Sequence, residues 1–170
     1  MTTTEDRGAT ISPCGLYRYN LWRIWDKDLA TMCFMMLNPS TADANEDDAT
    51  IRRCRDFALR EQCGSIYVVN VFAFRSTIPE ALITAPDPIG PENWKYQVGF
   101  RGCSLLTKPV AAWGAQVRSP LLKKGYDRAW QVALANSSYC FGTTAAGHPR
   151  HPLYLKKDVQ LVRLRRPSKP

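Results

Sequence analysis

Hydrophobic and polar positions alternate in blocks along this chain, and the blocks have two different periods. Residues 16–25 (LYRYNLWRIW) switch between apolar and polar with a period near two, which predicts an aromatic-rich strand at a sheet edge. Residues 31–37 (TMCFMML) form an unbroken apolar run, the pattern of a strand covered on both faces. Residues 48–62 change to helical spacing, with Ile51, Cys54, Phe57 and Ala58 on one stripe and arginines on the other. Asp48 or Thr50 would cap that helix and Gly64 would close it.

The alternation continues. Residues 65–71 (SIYVVNV) predict a second buried strand, and 77–85 a short helix. A Pro-rich loop, 85–93, leads into a helix from Pro91 to about residue 106, with Pro in its first turn. Residues 109–113 (PVAAW) predict a third strand, 120–134 a helix and 138–141 (SYCF) a fourth strand. This order predicts an α/β fold: a three-layer α/β/α sandwich around a mostly parallel four-stranded sheet, with an N-terminal edge strand or hairpin. Residues 1–12 read as a flexible arm, 13–164 as one domain and 165–170 as a basic tail.

Composition adds constraints. A chain of 170 residues with 45 % hydrophobic and 11 % aromatic content can bury a real core, which excludes a disordered chain. No apolar run reaches the roughly 18 residues that span a bilayer, and the first ten residues lack a signal-peptide core. Six cysteines lie scattered without a C-x-x-C pair, so neither a disulfide framework nor a zinc site is expected. The expectation is a cytoplasmic monomer with free thiols, no membrane partner, no metal and no cofactor.

The net charge of +8 points to a polyanionic partner. Arg52, Arg53, Arg55 and Arg60 share one helix, Arg118, Lys123, Lys124 and Arg128 share another segment, and six basic residues follow from Lys156 onward.

Ligands of open parallel sheets bind beyond the carboxyl ends of the strands. After the first buried strand comes Asn38-Pro39-Ser40-Thr41, followed by Asp43, Glu46, Asp47 and Asp48. The second ends in Asn70, followed by Phe72, Phe74 and Arg75. The third runs into Trp113-Gly114. The fourth runs into a loop carrying both histidines, His148-Pro149-Arg150-His151-Pro152. Amides, hydroxyls, aromatic rings, arginines and imidazoles would meet on one rim. Each also has a structural reading: Asn38-Pro39 as a turn, the acids as helix caps, the phenylalanines as core. Asn70 is the exception, because a buried amide at a strand end must find partners.

Taken in order, these four pieces resemble the uracil-DNA glycosylase superfamily. Met36-Leu37-Asn38-Pro39-Ser40 is similar to its Asn-Pro or Asp-Pro motif, and Val69-Asn70-Val71 to its base-reading strand end. Ala112-Trp113-Gly114 is similar to its Leu-Trp-Gly, and residues 148–153 to its late His-Pro loop. Over nearly its whole length the chain also resembles a family of small bacterial and phage proteins classed as a domain of unknown function.

The glycosylase resemblance implies hydrolysis of an N-glycosidic bond in nucleic acid, DNA in the first place, through base flipping, in repair or phage defence. It implies Asn38 and Asp43 (or Asp47 or Asp48) around the attacking water, and His148 or His151 at the departing base. Asn70, Phe72, Phe74, Ser40 and Thr41 would hold the base, and Arg52, Arg53, Arg75 and Arg150 the phosphates. Two alternatives use the same residues: a non-catalytic nucleotide or nucleic-acid binding module, and a hydrolase of free nucleosides or nucleotides.

Overall fold

The apolar runs become strands, and their alternating side chains divide between two cores. A computed structural model describes residues 5–102, 107–115 and 117–166. Among them are strands β1 (Asp6–Ile11), β2 (Arg18–Ile24), β3 (Ala30–Met36), β4 (Cys63–Asn70), β5 (Thr107–Ala111), β6 (Tyr139–Cys140) and β7 (Val162–Arg163). Helices are α1 (Ala49–Arg60), α2 (Ala81–Thr84), α3 (Asn93–Gly102) and α4 (Lys123–Ala135). None of the described helices is long and apolar enough to cross a membrane.

The seven strands form one sheet in the order β1-β2-β4-β3-β5-β6-β7. The expected parallel unit is its centre: β4, β3, β5 and β6 pair in parallel. The expectation of four strands is corrected to seven. The antiparallel hairpin β1–β2 extends the β4 edge, and β7 adds antiparallel to β6. Residues 6–11, expected as part of a loose arm, are β1, because pairing with β2 satisfies their backbone groups. Arg165 and Arg166 carry no regular structure, and the remainder of the expected tail, like residues 1–4 and 103–106, lies outside the described residues.

Cys33, Met35, Val69, Val71 and Trp113 pack on one face with Phe72, Tyr126 and Trp130, under α3 and α4. Met32, Phe34, Met36, Ile66 and Val68 pack on the other with Ile51, Cys54 and Phe57 of α1. The continuous apolar run in β3 is thus covered on both sides, as its pattern requires.

Asp48 caps α1, its Oδ1 accepting the Ile51 N–H at 2.8 Å. Gly64 does not close the helix. Gln62, at φ +57°, takes the left-handed position. Gly64 instead lies inside β4, where a Cβ would sit 2.0 Å from the Asp26 carbonyl oxygen. That close approach, not a turn, requires the glycine.

Candidate functional site

The three central strand ends are locked in register past their last residues. Val71 N–H donates to the Met36 carbonyl at 2.8 Å, Phe72 N–H to Leu37 at 2.9 Å and Ala112 N–H to Met35 at 2.8 Å. The late loop is tied to this edge by Gly114 N–H donating to the Pro149 carbonyl at 2.8 Å. Gly114 has φ +74°, and a Cβ there would stand 3.1 Å from the His151 Cβ, so the glycine lets the histidine down onto the strand end. A cleft of about 350 Å³ opens between these elements.

Asn38 enters it with its amide fixed: Nδ2 donates to the Ser76 carbonyl at 2.8 Å and the Pro39 carbonyl at 3.2 Å. Those two donations set the amide orientation, and Oδ1 accepts no bond from the described residues. Asn70 is buried to 1 % exposure, and its Nδ2 has no partner among the described residues. Its main-chain carbonyl accepts from the buried side chains of Asn93 (3.1 Å) and Gln97 (2.9 Å), which hold the strand end rigid. Trp113 leans edge-on against Trp130, and its buried Nε1–H also has no partner among the described residues.

His151 opens the 3-10 turn Pro152–Tyr154, its Nδ1 accepting the Leu153 N–H at 3.3 Å. The proton of the neutral ring is therefore on Nε2. Burial drives its pKa down to about 4, against the opposing pull of the Asp48 carboxylate. The imidazole is a neutral donor at pH 7.

Of the two histidines, His151 lines the cleft and His148 does not. His148 sits in the loop, its N–H bonded to Thr144 Oγ1 at 3.1 Å, with its pKa lowered by burial and by Arg118. Asp43 is a turn residue outside the cleft. Its Oδ1 accepts the Asn45 and Glu46 N–H groups at 2.8 and 2.9 Å, which hold its carboxyl below the usual range. The acid that reaches the cleft is Asp48.

Ser40 lines the cleft, while Thr41 is exposed beside it. Phe72 is fully buried edge-on against Tyr126, and Phe74 packs against Tyr17; neither forms a wall. The aromatic walls are Trp113 and Tyr154, the latter 80 % exposed at the rim. The four arginines expected at phosphates lie elsewhere. Arg52 is exposed and bonded to the Asp47 carbonyl, and Arg53 bonds the Leu155 carbonyl above the Phe57 ring. Arg75 bonds the Gly15 carbonyl at 3.2 Å, and Arg150 is exposed on the loop.

Sequence position pointed neither to Tyr154 nor to Arg18 as a cleft residue. Arg18, at the start of β2, is 3 % exposed and lines the cleft. Its Nη1 donates to the Ala42 carbonyl at 2.6 Å, its Nε has no partner, and no carboxylate pairs with it among the described residues. Burial lowers its pKa to about 10, opposed by Asp48 and reinforced by Arg75 and Arg23. Among the described residues no group of three His, Cys, Asp or Glu side chains lies close enough to hold a metal.

Fold and cleft together define an α/β protein whose polar groups converge at the carboxyl edge of a parallel strand unit. The chain belongs to the family described as Protein of unknown function (DUF1643), which it matches over residues 18–153. No curated protein and no solved structure matches it. Nothing in these comparisons links it to the uracil-DNA glycosylase superfamily, so that resemblance rests on the quoted motifs alone.

Proposed function

We propose that the cleft receives a single nucleobase and that the protein hydrolyses its N-glycosidic bond, with nucleic acid as the substrate. The observation that carries this reading is Asn70: a buried amide whose Nδ2–H is unpartnered and which lines a cleft suited in size to one small ligand. A base edge supplies the acceptor that the protein withholds. Trp113 Nε1–H offers a second donor, and Tyr154 a ring on which an extruded base can stack.

Hydrolysis breaks the C–N bond, sends its electron pair to the base and joins a water oxygen to the sugar carbon. The departing base gains negative charge, which the neutral His151 stabilises through Nε2–H without first losing a proton. Asn38 Oδ1 accepts a hydrogen bond from the attacking water, the Asp48 carboxylate lies near the cationic sugar and takes the proton that water loses, and the base anion regains a proton as it leaves.

The test uses duplex and single-stranded oligonucleotides carrying uracil, hypoxanthine or modified pyrimidines, followed by alkali. Scission of at least one substrate is expected, falling roughly 10²–10³-fold in Asn38→Ala and His151→Ala. Oligonucleotide binding without abasic product from any substrate would leave a binding module and overturn the hydrolase. Base release from mononucleotides alone would replace the polymer by a free nucleotide.

A further inference from the structure

Two arginines of β2 are almost completely buried, and they are treated differently. Arg23, at 0 % exposure, is saturated: it pairs with Asp47 at 2.7 Å and donates to the carbonyls of Gly8, Trp22 and Asp43. Among the described residues the Arg18 side chain makes one hydrogen bond, to a carbonyl, and none to a carboxylate. A buried guanidinium left unpaired is costly, and folded chains normally pair it. Neither acid that acts on Arg18 forms an ion pair with it among the described residues, and each has one carboxylate oxygen committed elsewhere. Asp48 Oδ1 caps α1, and Asp43 Oδ1 holds its own turn. Arg75 adds positive charge nearby. The unpartnered Nε–H of Arg18 therefore belongs with a cleft lined by Asn70, Asn38, Ser40 and His151, and by the Asp48 carboxylate.

We propose that Arg18 is an anion-binding residue of this cleft and that the anion is the phosphate next to the base-bearing sugar. A guanidinium presents donors in a planar fork that matches two phosphate oxygens. The identity of the anion as a nucleotide phosphate rests on the nucleobase reading; the anion site itself rests on Arg18 alone. The proposal makes the recognised unit a base with its phosphate, not a free nucleoside. A cleft of about 350 Å³ suits one such unit.

The experiment measures binding, not catalysis. The full chain is titrated by calorimetry with orthophosphate, the four deoxynucleoside 5′-monophosphates, the matching nucleosides and phosphodiester dinucleotides, alongside Arg18→Met and Arg18→Lys. A phosphate-bearing probe is expected to bind about 10–100-fold more tightly than its nucleoside, the effect of one charge-assisted contact. Arg18→Met removes that gap, and Arg18→Lys keeps part of it.

A gap for monophosphates alone assigns a free nucleotide, and a gap for dinucleotides as well assigns a polymer. Arg18→Met should also melt no lower than wild type, because it removes a buried unpaired charge and not a structural pair. Absence of binding by every probe, a gap retained in Arg18→Met, or a melting temperature well below wild type in both variants overturns the proposal. Anion binding lost in Arg18→Met, in a protein that releases no base from any oligonucleotide, keeps the anion site and removes the hydrolase.

Discussion

The neutrality of His151 has a consequence for stability that can be worked out and measured. In the unfolded chain the imidazole titrates near 6.5, and in the folded chain at about 4. Between those values the unfolded chain binds more protons than the folded one. Stability therefore rises with pH across this window, is fully present above about 6.5 and is lost as pH falls toward 4. A gap of about two and a half units, at about 1.4 kcal/mol per unit, amounts to about 3 kcal/mol. Carboxylates contribute their own losses at the acid end, so a variant must isolate the histidine.

His151→Asn keeps an acceptor near the position of Nδ1 for the Leu153 N–H and removes the titration. Urea denaturation at pH 7.5, 6.5, 5 and 4 should show wild type losing about 3 kcal/mol more than the variant across the series. With two histidines in the chain, the imidazole proton resonances can be assigned from the same variant. Equal losses in the two proteins, or a His151 resonance titrating near 6.5, would refute the buried neutral ring and with it the proposed donor role at the departing base.

Two further outcomes follow from the packing. Phe72→Ala should destabilise by about 3–5 kcal/mol in urea denaturation, because the ring is wholly buried against Tyr126; a loss under about 1 kcal/mol with weakened ligand binding would return the ring to the site. Asp47→Ala strips the ion-pair partner from the fully buried Arg23 and should cost about 3–5 kcal/mol in thermal or urea unfolding. A near-neutral result would show that the three carbonyls suffice for Arg23.

The elements that periodicity places well are the ones whose burial is decided locally. The apolar stripe of α1 and the two-sided runs of β3 and β4 announce themselves because each apolar residue in them answers to the core on its own side of the sheet. Strand β1 did not, since DRGATI carries a glycine and charged residues and is held by backbone pairing with β2. Strand β7 is two residues long and exposed, too short for any period. The end of α1 is not legible from glycine, because Gln62 takes the conformation for which glycine is the usual signal, while the nearby Gly64 answers to the Asp26 backbone.

The same distinction explains the site. Looking beyond the carboxyl ends of parallel strands brought together Asn38, Ser40, Asn70, Gly114 and His151, and these do line one cleft. The rule is silent about antiparallel neighbours, and that is where Arg18 was hidden. Strand β2 runs against β4, with Asn20 opposite Val69, so its amino end lies beside the carboxyl end of β4. Arg18 N–H accordingly donates to the Ala73 carbonyl, just beyond Asn70. An antiparallel edge strand delivers its first residues, not its last, to the rim of a parallel unit. In a sheet of mixed direction, the residues before each antiparallel neighbour belong in the search for a site alongside those after each parallel strand. Here that strand adds a buried cation to a cleft otherwise lined by amides, hydroxyls, a neutral imidazole, aromatic rings and the Asp48 carboxylate, and the proposed phosphate contact rests on that cation.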